Sequence, residues 1–233
     1  VWCMLSMALE YWGKICPRKV AIFGYSAAMD DESEESEALL ATPLHDNPAG
    51  NRVIVLIGLM GAGKSTVGRR LAARLGVNFL DTDSEIEAAA GMSIPEIFEK
   101  HGEPAFRRGE TRVIERLLQD MSKGNPPGGV LATGGGAFMD PETRKNIELY
   151  GVSIWLRADV ELLLKRVARR NNRPLLKHGD ARETMLRLRD ERYPVYALAD
   201  IVVESVEAPH EEVVDMILEK LDTYFSSPEG VTI

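Results

Sequence analysis

Cysteine is almost missing from this 233-residue chain: Cys3 and Cys16 are its only two, and both fall in the first sixteen residues. That excludes a disulfide framework and cysteine catalysis from everything downstream. Long apolar runs are missing too. Nothing approaches 18 consecutive apolar residues, so no membrane-spanning helix and no membrane partner are expected, and a cytoplasmic location is. An excess of basic charge is also absent: the net charge is −8, which argues against a general nucleic-acid binder while leaving room for a local basic cluster that captures an anion. No internal repeat is present. What remains, 45% apolar and 27% charged residues, describes a folded globular protein with a sizeable core, long enough for one domain and an appendage but cramped for two.

The appendage is expected at the start. Residues 1–50 combine an aromatic, weakly basic opening, an acidic run from Asp30 to Glu37, and Pro43, Pro48 and Gly50. This fits neither a signal peptide nor an Arg- and Ser-rich transit peptide. Residues 1–50 are therefore expected to be a disordered or dispensable extension, with 1–28 read as translation upstream of Met29. N-terminal sequencing that found Val1 on the cellular protein would remove that expectation. The domain is expected over 51–226, followed by a tail at 227–233.

From Arg52 onward, short apolar runs alternate with helical spacing. Val53 to Ile57 reads as a strand buried on both faces, and Val67, Leu71 and Leu75 as the apolar stripe of the helix that follows. Further strands are expected at Val77–Leu80, Val130–Ala132, Val152–Leu156 and Ile201–Val203. Leu163, Leu164 and Val167 mark an intervening helix, and Val214, Ile217, Leu218 and Leu221 mark the last one. Repeated βα units imply an α/β fold: a parallel five-stranded sheet with helices on both faces and ligands at the carboxyl ends of the strands.

Directly after the first strand stands Gly58-Leu-Met-Gly61-Ala62-Gly63-Lys64-Ser65-Thr66, the G-x-x-x-x-G-K-S pattern of a P-loop in its required strand-to-helix context. Its amides would cradle phosphate oxygens at the positive end of a helix. Lys64 would reach the outer phosphates, and the Ser65 hydroxyl would serve Mg²⁺. The second strand runs into Asp81-Thr82-Asp83, and strand alternation would put both carboxylates on one face at the ligand end. One would hold the metal and the other would take a proton from a hydroxyl. A helix cap for a segment starting at Ser84 is the plainer alternative. Arg107 and Glu110, three apart in FRRGE, suit a pair on one helix face. Gly134, Gly135 and Gly136 follow the third apolar run, ahead of a helix expected from Pro141, and allow close approach of backbone to ligand. Arg166 through Leu176 is a basic stretch suited to a mobile lid over phosphates, its arginines stabilising a phosphoryl group in transfer. Arg187, Arg189 and Arg192 form another candidate anion site, several of them expected to be merely solvated.

Taken in order, the P-loop, FLDTD, FRRGE, TGGG, RPLL and RYPVY…AD closely resemble the shikimate kinase family from about Val53 to Leu221. The resemblance implies a three-layer P-loop fold of the nucleoside monophosphate kinase type, with strand order 2-3-1-4-5 and a lid. It implies ATP-dependent phosphorylation of the 3-hydroxyl of shikimate on the way to chorismate and the aromatic amino acids. Mg²⁺ is implied as cofactor, ATP and shikimate as small-molecule partners, and a monomer as the working form. Position by position, Gly61, Ala62, Gly63, Lys64, Ser65, Thr66, Arg166 and Arg173 match the ATP site, with Arg166 against adenine and Arg173 on the lid. Ser65 and Asp81 match the metal site. Arg107 and Arg192 match the arginines that hold the shikimate carboxylate. Asp83 and the backbone of Gly134, Gly135 and Gly136 match groups on its hydroxyls. Lys64, Asp83 and Arg173 match the catalytic set, with Asp83 as base. Glu110 matches the partner orienting Arg107, and Phe98, Phe106, Pro174 and Leu175 match the apolar pocket walls.

Overall fold

The computed structural model describes residues 46–168, 180–205 and 207–226. Five strands form one sheet: β1 (Val53–Ile57), β2 (Phe79–Asp81), β3 (Gly129–Ala132), β4 (Gly151–Arg157) and β5 (Ile201–Glu204). Their order is β2-β3-β1-β4-β5 and every pair is parallel, as expected. Side chains alternate between faces along a strand, yet all five residues of β1 are buried. Both faces of the sheet are therefore covered.

The cover comes from seven helices among the described residues: α1 (Lys64–Leu75), α2 (Thr82–Ala90), α3 (Ile94–Ser122), α4 (Pro141–Tyr150), α5 (Val160–Ala168), α6 (Ala181–Tyr196) and α7 (His210–Ser226). In α1, Val67, Leu71 and Leu75 point into the core, and in α7 so do Val214, Ile217, Leu218 and Leu221. The helix expected at Pro141 begins there, capped by the Asp140 side chain. No described helix is long and apolar enough to cross a membrane.

Three strands run one residue or so beyond expectation, and the second differs at both ends. The second strand starts at Phe79 rather than Val77, because α1 ends on Gly76 in a left-handed conformation (φ 64) and the Val77 amide still bonds Ala72 O at 3.0 Å. That closure is the glycine-ended helix stop, which keeps Val77 in the helix exit. The strand then ends at Asp81 and α2 begins at Thr82, so Asp83 lies in the first turn of a helix, not on a strand. Helix α3 carries an unforeseen break at Gly102 (φ 75, ψ 166), with Pro104 opening its second half. The basic stretch assigned to a lid falls almost wholly on residues 169–179, outside the described residues, and so do Arg173, Pro174 and Leu175.

Candidate active site

A cavity of about 660 Å³ opens at the carboxyl ends of the strands. Its wall includes Gly61, Gly63, Lys64, Ser65 and Thr66, both aspartates, Phe98, Phe106, Arg107, Glu110, Gly134 to Gly136, Arg166 and Arg192. The expected residues thus converge. Ala62 is the exception on the phosphate side: its side chain is buried in the core and its amide closes a turn onto Leu59 O at 3.2 Å.

At one end the backbone curls into a loop ahead of α1. Gly61 and Gly63 sit at φ 84 and φ 96, which side-chain-bearing residues rarely adopt, and α1 starts immediately after them. Lys64 reaches back over the loop, its Nζ donating to Gly58 O at 2.7 Å and Leu59 O at 3.1 Å. The Ser65 hydroxyl donates to Asp81 Oδ2 at 2.6 Å, while Asp81 Oδ1 accepts from the Asp83 amide at 3.1 Å. Asp81 is therefore both the cap of α2 and the partner of the P-loop serine; the two readings of it are not rivals. A hard, hydrated Mg²⁺ fits this donor set, since the Ser65 and Asp81 oxygens stand together at the cavity wall beside the phosphate loop, and such an ion needs only one or two protein oxygens besides phosphate and water.

At the other end, side chains from three distant segments lie over three successive glycines. A methyl group on Gly134 would come within 2.8 Å of Glu110 Oε1 and 3.0 Å of Asp83 Oδ1. On Gly135 it would meet Arg192 Nη1 at 3.2 Å, and on Gly136 the Arg107 guanidinium at 2.5 to 2.7 Å. The glycines are thus the floor that leaves room for two carboxylates and two guanidinium groups side by side. Outside groups hold that floor: the Gly134 amide donates to Thr82 Oγ1 at 3.0 Å, and Arg192 Nη1 donates to Gly135 O at 2.9 Å. Arg107 donates to Glu110 Oε2 at 2.6 Å and to Glu103 Oε1 from two nitrogens at 3.2 and 3.3 Å.

Burial sets the electrostatics here. Glu110 is 2% exposed, and loss of water holds its carboxyl above the ordinary value against the pull of Arg107, with the Asp83 charge adding to the rise. Burial also works against charge on Arg107, but Glu110 and Glu103 outweigh it and keep the guanidinium firmly protonated. Phe98 and Phe106 form the apolar wall, their rings 4.6 Å apart. Elsewhere on the cavity wall, Arg166 donates to Ser205 Oγ at 2.9 Å, and its partial burial lowers its pKa.

Sequence reasoning missed several wall residues. Lys165, Glu207 and His210 stand beside Arg166, and Lys165 pairs with Glu207. Their 42-residue separation leaves no local pattern. Arg187 and Arg189 are solvated, pairing with Glu191 and Asp190 away from the cavity.

Comparison with known proteins agrees with this layout. Residues 60–222 match the family described as shikimate kinase. A shikimate kinase of Paramagnetospirillum magneticum is 55% identical over 201 residues, covering 86% of this chain and 100% of that protein. One of Rhodopseudomonas palustris is 53% identical, covering 85% of this chain and 92% of the relative. The solved shikimate kinase of Acinetobacter baumannii in complex with shikimate superposes with a TM-score of 0.68 at 39% identity, covering 74% of this chain and 93% of that one. Identity this high over nearly the full length of the relatives goes beyond a shared architecture, and the chain belongs to the shikimate kinase family.

Proposed function

We propose that this protein transfers the terminal phosphoryl group of ATP to the 3-hydroxyl of shikimate, giving 3-phosphoshikimate and ADP, a step toward chorismate and the aromatic amino acids. The observation that carries the reading is the row of three glycines beside the P-loop, overlaid in turn by Asp83, Arg192 and Arg107. Two guanidinium groups suit a carboxylate, which accepts their forked donors in pairs. A carboxylate next to them suits a hydroxyl on the same ring.

In the reaction the acceptor oxygen forms a bond to the γ-phosphorus while the bond from that phosphorus to the β,γ-bridging oxygen breaks. Phosphoryl transfer asks for alignment and charge neutralisation more than covalent help. Arg107 and Arg192 hold the acceptor by its carboxylate, and Asp83 orients its hydroxyl and takes the proton. Lys64 and the P-loop amides hold the phosphates, with Arg173 assigned to the charge that develops during transfer. Ser65 and Asp81 would hold Mg²⁺, which supplies positive charge to the phosphate oxygens when bound. Arg166 faces the base. Phe98 and Phe106 form apolar walls of the acceptor pocket, and closure of the lid would exclude water that otherwise takes the phosphate. The family's working form is taken as a cytoplasmic monomer over residues 51–226.

Gluconate kinase and adenylate kinase activities are the rivals that share this architecture, and a nucleotide sensor without turnover is the rival from another class. ATP consumption measured with shikimate, gluconate and AMP offered separately discriminates all of them. Turnover with shikimate alone is the expected result. Turnover with gluconate or AMP instead, or none with any acceptor, would sink the reading.

A further inference from the structure

Tyr196 has no assigned role, yet it is fully buried at the end of α6 and its hydroxyl reaches the glycine floor. It donates to Gly135 O, the same carbonyl that accepts from Arg192 Nη1 at 2.9 Å. Residues 192 and 196 are one helical turn apart and so share a face. We infer that Tyr196 is a positioning residue for the acceptor pocket, fixing the Gly135 carbonyl and through it the guanidinium of Arg192.

Three observations support this. First, Gly135 is the point where α6 and the floor meet. Its peptide is planar and trans, so orienting the carbonyl also orients the Gly136 amide, which points away from α6. Second, the last turn of α6 contains Pro194, which removes one helical hydrogen bond. Tertiary bonds from Tyr193 OH to Ala158 O at 2.5 Å and from Tyr196 OH to Gly135 O hold that turn instead. Third, the ring is wedged among Trp155, Tyr193 and Phe138, with centroids 5.8, 6.2 and 6.4 Å away. Burial pushes the phenol pKa up to about 12, with the Arg192 charge opposing, so the hydroxyl keeps its proton to donate at any working pH.

This inference rests on the proposed acceptor, and the full chain tests both separately. Failure of the unaltered protein to phosphorylate shikimate would remove the function. If it does turn over, Tyr196→Phe is expected to raise the KM for shikimate about five- to tenfold, the loss typical of one hydrogen bond, with kcat and the KM for ATP within about twofold. In an Arg192→Ala background the same change should add less than about twofold, because the group it positions is gone. Trp155→Phe serves as the packing control: it trims the ring against both tyrosines and should lower Tm while leaving both KM values in place. An unchanged shikimate KM in Tyr196→Phe, additive effects in the double variant, or the same KM shift in Trp155→Phe would each overturn the inference. So would a Tyr196→Phe chain that does not fold, since that outcome marks a structural hydroxyl.

Discussion

The two ends of the cavity are built by opposite means. The phosphate end comes from nine consecutive residues, Gly58 to Thr66, whose backbone supplies the shape and whose lysine folds back onto its own loop. The acceptor end is gathered from α2, α3, the turn after β3 and α6, and side chains supply its chemistry over a glycine floor. Backbone recognition suits a ligand with many equivalent oxygens. Side-chain recognition suits a ligand that must be told from others by one carboxylate and its neighbouring hydroxyls. Damage at the first end should therefore appear as lost phosphate handling or lost fold, and damage at the second as lost acceptor selection.

Asp83 stands where the two ends meet, and the largest effect is expected there. Asp83→Asn keeps the shape but not the basicity, and should lower kcat about 10²- to 10⁴-fold, the range for losing a general base, with little change in the KM for ATP. Steady-state kinetics on both substrates checks this. Arg192→Ala comes next. It removes a charged donor from the acceptor and should raise the KM for shikimate about 10- to 100-fold, with a smaller fall in kcat. Equal rises in both KM values would erase the division between the ends.

That division also explains what the sequence made legible. The P-loop could be found because its chemistry is local, and the five strands because a doubly covered parallel sheet needs unbroken apolar runs such as Val53 to Ile57. The acceptor end has no local signature. Arg107 with Glu110 resembles any helical ion pair, and Arg192 stands out only through the family resemblance, since the carbonyl of Gly135 that it grips lies 57 residues away. The bonds from Gly134 to Thr82 and from Tyr196 to Gly135 span 52 and 61 residues, and no spacing rule finds such partners. Asp81 and Asp83 reach one cavity by a route alternation did not foresee, a strand end followed at once by a helix.

Glycine substitutions sharpen the comparison at moderate cost. Gly136 has φ −99 and ψ −15, an ordinary helical conformation, and the three nearest atoms a methyl group would meet all belong to the end of the Arg107 side chain. Gly136→Ala should therefore fold normally, displace Arg107, and raise the KM for shikimate about five- to twentyfold with ATP kinetics preserved. Gly61→Ala is the counterpart. Its φ of 84 strains any side chain, and the methyl would lie 2.9 Å from Val167 Cγ2 and 3.1 Å from Leu163 O. Lower Tm and weaker ATP binding are expected together, of order 1–3 kcal/mol in stability. A Gly136→Ala protein that lost ATP binding instead would break the comparison.

The smallest effect is expected at Glu110, where the acceptor end stores a cost. Its carboxyl is held above the ordinary value of 4.5 chiefly by burial. The native state therefore grips this proton more tightly than the unfolded chain does. The stability that proton contributes is complete below 4.5 and is lost as pH rises through the higher folded value. Glu110→Gln has no proton to lose and can still accept the Arg107 Nη1 hydrogen bond. The Tm of Glu110→Gln relative to the unaltered chain should thus climb as pH rises from 4.5 toward neutrality. Melting curves across that range check it, and a difference that is flat or falls with pH would show that the Arg107 pairing outweighs the burial. Over the same range the Gln variant should bind shikimate less well, because a neutral partner holds Arg107 less firmly above Gly136, so the charge that costs stability is the one that orients the acceptor's arginine.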